Sequence, residues 1–397
     1  MKRLLQAALV IPLSLLVIVV VKAGPSSAGA SSSCGTGTIS GTGCACPSSP
    51  YLSVSQRLYG VAGSSSSDVW AVGLQPPDSL IMHWDGTCWT VAYNQPVGYL
   101  RDTSAVSASD AWAVGGTSWW NPSHTLALHW NGSSWTVVTT PNQGGSAIFN
   151  GVAATSASNA WAVGSIGPGP GVTTSAEEPL IEHWDGSAWT AQTFAVPTDG
   201  GTLTAVSAVS ATNAWAVGHT GGEGQGTGQT TLIEHWDGTS WTRVTSPNAT
   251  GVTNEVNNVT IISTNDVWAV GVAQSSGVGH ALTMHWNGSA WSIVSSPNVN
   301  GDSGLLGVSG AAANDVWAVG QANGSHCPGG SGPHCVTVAM HWNGSSWTVV
   351  STPNPSGYYL NNLFDVLEFS ANNVWAVGTT DYNHTLIEHW DGSNWRN

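Results

Sequence analysis

Beyond residue 51 the apolar positions come in short runs separated by turn residues, and no segment shows the three-to-four-residue spacing of an amphipathic helix. One stretch displays the pattern in full. Leu203-Thr-Ala-Val-Ser, Ala214-Trp-Ala-Val-Gly, Thr231-Leu-Ile-Glu-His-Trp and Trp241-Thr-Arg-Val read as four β-strands, with Ser-Ala-Thr-Asn before the second and Asp-Gly before the fourth. The second and third runs are apolar or aromatic at consecutive positions, so the sheet they form needs cover on both faces.

This unit recurs seven times. Its first tryptophan is Trp70, Trp112, Trp161, Trp215, Trp268, Trp317 or Trp375, at intervals of 42, 49, 54, 53, 49 and 58 residues. Each is followed by His-Trp-(Asp/Asn)-Gly-x-x-Trp. Four strands at this period make one propeller blade. The rival solenoid would carry a helix or a shorter repeat. The pattern therefore predicts an all-β, seven-bladed β-propeller of four-stranded antiparallel blades over residues 51–397, with the recurring tryptophans packing blade on blade. The Asp-Gly or Asn-Gly before each last strand predicts a hairpin with positive φ at both residues. In the seventh copy the outer strand is short by about four residues, and Cys46-Pro47 aligns with the Thr-Pro or Ser-Pro ending other copies. Residues 38–46 are thus expected to supply an N-terminal strand that closes the last blade.

Residues 1–30, with Lys2 and Arg3 ahead of an apolar run from Leu4 to Val21, read as a signal peptide or an N-terminal membrane anchor. Residues 31–50 form a Gly/Ser/Thr-rich linker, and the repeats are expected to be secreted or held at the cell surface. With the leader set aside, the domain keeps only Arg57, Arg101, Arg243 and Arg396 against 22 acidic residues, a balance of 4 − 22 = −18. Such a charge excludes nucleic acid and anionic membrane surfaces as partners. The six cysteines suit an oxidising compartment. Cys327 and Cys335 flank a Gly/Pro-rich loop and are expected to form a local disulfide. A two-Cys, two-His metal site with His326 and His334 is the alternative, but adjacent His-Cys side chains converge poorly. The pairing of Cys34, Cys44, Cys46 and Cys88 stays open.

The repeated Asp-Val-Trp-Ala-Val-Gly and His-Trp-Asp-Gly-x-x-Trp motifs resemble those of a family of secreted bacterial propellers. They are similar to tectonin-type lectin repeats and to the Asp-box repeats of sialidases and photosystem II assembly-factor propellers. The likeness spans residues 58–396 and implies a propeller fold with recognition of glycans or proteins.

Spacing separates frame from candidate site. From the motif glycine to the motif histidine the gap is 10, 14, 19, 17, 14, 21 and 11 residues, so length varies chiefly between the second and third strands. Variable loops on a rigid frame are where binding is expected. Trp119 and Trp120, which the repeat does not require, lie in that loop of blade two beside His124. Glu177, Glu178 and His219 lie in or beside the corresponding loops of blades three and four. These six residues are the candidate ligand-binding set. The seven motif histidines (His83, His129, His183, His235, His285, His341 and His389) read as structural, because catalysis needs a group once. They are expected to hydrogen-bond at the blade interface.

A sialidase would need three arginines at one point. Arg57 and Arg396 lie at the sequence ends of the domain, which disfavours that activity. A glycosidase needs two facing carboxylates, and nothing in the spacing of Glu177, Glu178, Glu223, Glu182, Glu234 or Glu388 orders a pair. No cofactor or metal motif is present. The sequence reading is a monomeric, non-catalytic extracellular propeller that recognises glycans or proteins. The alternatives are a secreted glycoside-processing enzyme on the same fold and a structural or adhesive surface protein.

Overall fold

The structure, a computed structural model, describes residues 55–118, 123–141, 145–167, 177–221, 228–250, 252–323, 334–355, 358–381 and 383–397. The leader, the linker and the expected closing strand at 38–46 lie outside the described residues, as do Trp119, Trp120 and Cys327.

Seven four-stranded antiparallel sheets form, each with its strands hydrogen-bonded in sequence order. In blade one the strands are Arg57–Ser65, Asp68–Gln75, Asp78–Trp84 and Trp89–Gln95. The first strands of successive blades touch one another in turn, and that of blade seven touches that of blade one, so these strands line the axis. The molecule is a closed seven-bladed β-propeller. Its outer strand in blade seven, Trp395–Arg396, is two residues long.

The core is divided into seven apolar clusters, each shared by two neighbouring blades. One joins Trp112 and Val114 of blade two to Phe149, Ala162 and Trp189 of blade three. Another joins Trp375 and Val377 of blade seven to Leu58, Val69 and Met82 of blade one. Each motif tryptophan at the second strand sits between the two indoles of the next blade's His-Trp-…-Trp segment. Trp70 lies 5.0 Å from Trp130 and 5.2 Å from Trp135, the latter edge-on at 85°. The seventh of these tryptophans closes the circle: Trp375 meets Trp84 at 5.1 Å and Trp89 at 5.5 Å. Burying one indole removes roughly 200 Å² from water, an upper estimate of about 5 kcal/mol. The edge-on geometry sets the positive rim of one ring against the negative face of the next, and the indole N–H groups of Trp70 and Trp135 have no oxygen or nitrogen partner.

Two local expectations need correction. First, the motif histidines bond within a blade rather than between blades. His129 Nε2 lies 2.8 Å from Asp110 Oδ1, at the start of the preceding strand, while the His129 ring lies 4.4 Å from Trp112. Asn takes the same role opposite His183, His235 and His389. The register explains it, since Trp112 pairs with His129 across the second and third strands. Second, only the glycine of each Asp-Gly or Asn-Gly has positive φ, as at Gly132 (φ 90°). The connection is a four-residue loop in which the first side chain accepts backbone N–H groups. Asp185 Oδ1 accepts from Ser187 N at 2.8 Å and Ala188 N at 2.9 Å. Together with the Ser187 hydroxyl, these bonds hold the Asp185 carboxyl down to about 2.

Candidate functional site

Each inner strand slips register twice against the second strand, once near the turn that joins them and once, at an equivalent place in every blade, nearer its own start. In blade two the pairing steps from Leu100 to Asp102, leaving Arg101 without an opposite residue. The extra residues around the ring are Tyr59, Arg101, Asn150, Thr204, Asn257, Leu306 and Phe364. A bulge turns its side chain away from the regular pleat. All seven line one cavity of about 690 Å³ at the mouth of the central channel.

The bulge residues divide into two arcs. In blades three, four and five they tie blades together. Asn150 Nδ2 donates to Leu203 O at 2.8 Å, Thr204 Oγ1 to Val256 O at 2.6 Å and Asn257 Nδ2 to Leu305 O at 2.8 Å. In blades six, seven, one and two the bulge residue is Leu306, Phe364, Tyr59 or Arg101. In blades seven and two the tie comes from the residue one position on: Asp365 Oδ2 accepts Val61 N at 2.9 Å, and Asp102 Oδ2 accepts Val152 N at 2.8 Å. Where no such side chain stands, Gly60, Gly151 and Gly307 let adjacent inner strands approach. A Cβ on Gly307 would lie 2.7 Å from the Asp365 Cα.

Asp102 and Asp365 both face the cavity. Burial pushes the Asp102 carboxyl up to about 7, and Asp365 is driven well above the usual carboxylate range by burial and by the charge of Asp102. Asp365 also accepts from Asn258 Nδ2 at 3.3 Å. Arg57 and Arg101 stand on the same wall. Arg57 therefore lies at the axis of the molecule rather than at its margin, because ring closure brings the start of the domain to the centre. Two arginines converge here, short of three.

The six sequence candidates do not assemble as one group. Glu177 and His219 line the cavity, where Glu177 Oε2 accepts from Thr202 Oγ1 at 2.7 Å. Glu178 is exposed at the start of the third strand of blade three, away from the cavity lining. His124 is exposed too, fixed only through its backbone to Thr117, and it also stands off the lining. Trp119 and Trp120 lie outside the described residues. Cys335 is buried and bridges to Leu360, while Cys327, its expected partner, lies outside the described residues. Among the described residues no group of three or more His, Cys, Asp or Glu is arranged to hold a metal ion.

Sequence reading missed Asp102, Asp365 and the bulge ring. A signal was present. Each bulge residue stands 11 positions before its blade's motif tryptophan, from Tyr59 to Trp70 through Phe364 to Trp375. That column holds six residue types in seven blades, with only Asn repeated, so motif comparison passes over it.

Glu182, Glu234 and Glu388, which precede motif histidines, prove to be fully buried, far from solvent. They occupy the register of Met82, Leu128, Met284 and Met340 in the other blades. Burial raises Glu234 to about 7 and Glu388 to about 8.

No family model and no curated protein matches the chain. Solved structures do. YCF48 from Cyanidioschyzon merolae is 16% identical and superposes with a TM-score of 0.52 over 86% of this chain and 98% of its own. A polysaccharide lyase, the PL25 ulvan lyase, is 8% identical with a TM-score of 0.58 over 84% and 92%. Streptogramin B lyase is 11% identical with a TM-score of 0.54 over 85% and 95%. At these identities the shared property is the propeller fold, which the chain has in common with binding proteins and lyases alike.

Proposed function

We propose that this chain is an extracellular recognition propeller, monomeric, which takes a glycan or protein ligand at the mouth of its central channel. The observation that carries the reading is the ring of seven bulge side chains: one backbone position, held by the fold in every blade, filled by aromatic, cationic, apolar and polar residues in turn. A frame that repeats while its axial side chains vary is the arrangement of a specificity surface. Glu177 and His219, which stand beside two of the connections between second and third strands, line this mouth. Of the same fold, YCF48 has been solved with a D1 peptide and an ulvan lyase with a saccharide, so either ligand class suits the architecture. The acidic balance of the domain disfavours nucleic acid.

A second reading, glycoside processing, is favoured by one observation: Asp102 and Asp365 share the cavity with raised carboxyls. Both are engaged by backbone N–H groups of the neighbouring blade, which is a tie between blades and supports recognition over catalysis. Glycan and peptide arrays probed with wild type and with Phe364→Ala separate these readings. Binding that Phe364→Ala lowers at least tenfold, with no reducing sugar released, is expected. Release of reducing ends that stops in Asp102→Asn would replace recognition by catalysis.

A further inference from the structure

We infer that the ligand of the channel mouth is an acidic oligosaccharide, whose uronate carboxylate is held by Arg57 and Arg101 and whose ring lies on Tyr59 and Phe364. This rests on the recognition reading above and adds the ligand class.

The arc of blades six, seven, one and two has its own composition at the bulge position. Leu306, Phe364 and Tyr59 follow one another in blades six, seven and one, each partly exposed to the cavity. The Tyr59 and Phe364 rings are 5.2 Å apart at 51°, forming a bent apolar wall. Such a wall suits the C–H face of a pyranose. The arc continues into Arg101, exposed at the bulge of blade two with its guanidinium carbon 5.7 Å from the Tyr99 ring, and Arg57 stands two residues before Tyr59.

Charge distribution strengthens the assignment. The domain has four arginines against 22 acidic residues, and two of the four line this one cavity. The acidic groups facing them are Asp102, Asp365 and Glu177, with His219 the remaining titratable imidazole. Asp102 and Asp365 hold their protons more tightly than ordinary carboxyls, and Glu177 is bonded to Thr202. With two of its four arginines at one cavity, the mouth is the place on this acidic domain where guanidinium groups gather. Arginine pairs bind carboxylate in a planar fork, and a guanidinium beside an aromatic ring holds its orientation. A neutral glycan uses the aromatic wall alone. A carboxylated sugar uses both.

The test uses the full chain with oligomers of galacturonate, glucuronate and mannuronate, the methyl esters of each, and peptides with a free C-terminal carboxylate. Affinities are measured by calorimetry for wild type, Arg101→Gln and Phe364→Ala, with thermal unfolding as the check on folding. At least one uronate oligomer is expected to bind wild type, its methyl ester at least tenfold more weakly. Arg101→Gln should narrow the difference between acid and ester while leaving affinity for the ester unchanged. Phe364→Ala should weaken acid and ester alike. Equal affinity for acid and ester overturns the acidic-sugar assignment and leaves recognition standing. Binding of peptides alone does the same. Failure of every glycan and peptide to bind wild type removes both readings.

Discussion

At the residue scale, the His–(Asp/Asn) contact shows what the repeat requires and what it tolerates. The acceptor is Asp at 68, 110, 266 and 315 and Asn at 159, 213 and 373, always within 2.7 to 2.9 Å of the imidazole. A side-chain oxygen at that place is common to both residue types, and a negative charge is not. Asp110→Asn should therefore change stability by less than about 1 kcal/mol. Asp110→Ala leaves the part-buried imidazole nitrogen without this partner and should cost about 1 kcal/mol more than Asp110→Asn in urea denaturation. Equal losses for the two variants would show that charge, rather than the hydrogen bond, is what the site needs. The same interchange at the hairpin turns, Asp85 against Asn131, argues that neither position is a general acid.

At the scale of the strand, the inner strands of blades three and four come so close that a Cβ on Gly151 would sit 2.9 Å from the Ala205 Cα and 3.1 Å from the Val206 nitrogen. Both neighbours are backbone, so a side chain cannot be met by a change of rotamer. Gly151→Ala is expected to cost about 1–3 kcal/mol, read as a lower urea midpoint at unchanged slope. An unshifted midpoint would mean that the inner strands can part freely. The strands themselves were legible in sequence, from Leu203-Thr-Ala-Val-Ser to Trp241-Thr-Arg-Val. Their bulges were not, because an extra residue is a matter of pairing between strands and leaves the alternation of each strand nearly intact. The hairpin reading failed in a similar way: Asp-Gly marked the turn, but the loop length that sets φ was decided by the pairing of Trp130 with Trp135.

At the scale of the whole molecule, buried acids and buried histidines set opposing limits on pH. Glu234, Glu368 and Glu388 are raised from an ordinary 4.5 to about 7, 9 and 8, chiefly by burial, and Asp102 is raised to about 7. The folded state keeps these protons while the unfolded chain releases them. Their contribution is full below about pH 4.5 and is lost as pH rises through 7 to 9. His183, His235 and His389 are depressed by burial from 6.5, so their contribution is full above 6.5 and lost as pH falls below it. Because four acids lose stability with rising pH against three histidines that gain it, the melting temperature should be at least about 5 °C lower at pH 9 than at pH 5. A flat profile from pH 5 to 9 would mean that the interior acids are not held protonated.

The sequence by itself determined the seven blades, their four strands, and the tryptophans that separate them, because each is a local pattern repeated at a fixed spacing. The closed ring needs no further signal once each blade offers an indole that only the next blade can cover, and Trp375 finds Trp84 and Trp89 by the same rule that joins Trp70 to Trp130 and Trp135. Only the tertiary structure decided which residues meet at the axis. Tyr59 and Phe364 are about 300 positions apart in the chain, and they become neighbours because closure sets blade seven beside blade one. Local periodicity specifies the elements. The site depends on contacts between residues about 300 positions apart, which no period along the chain records.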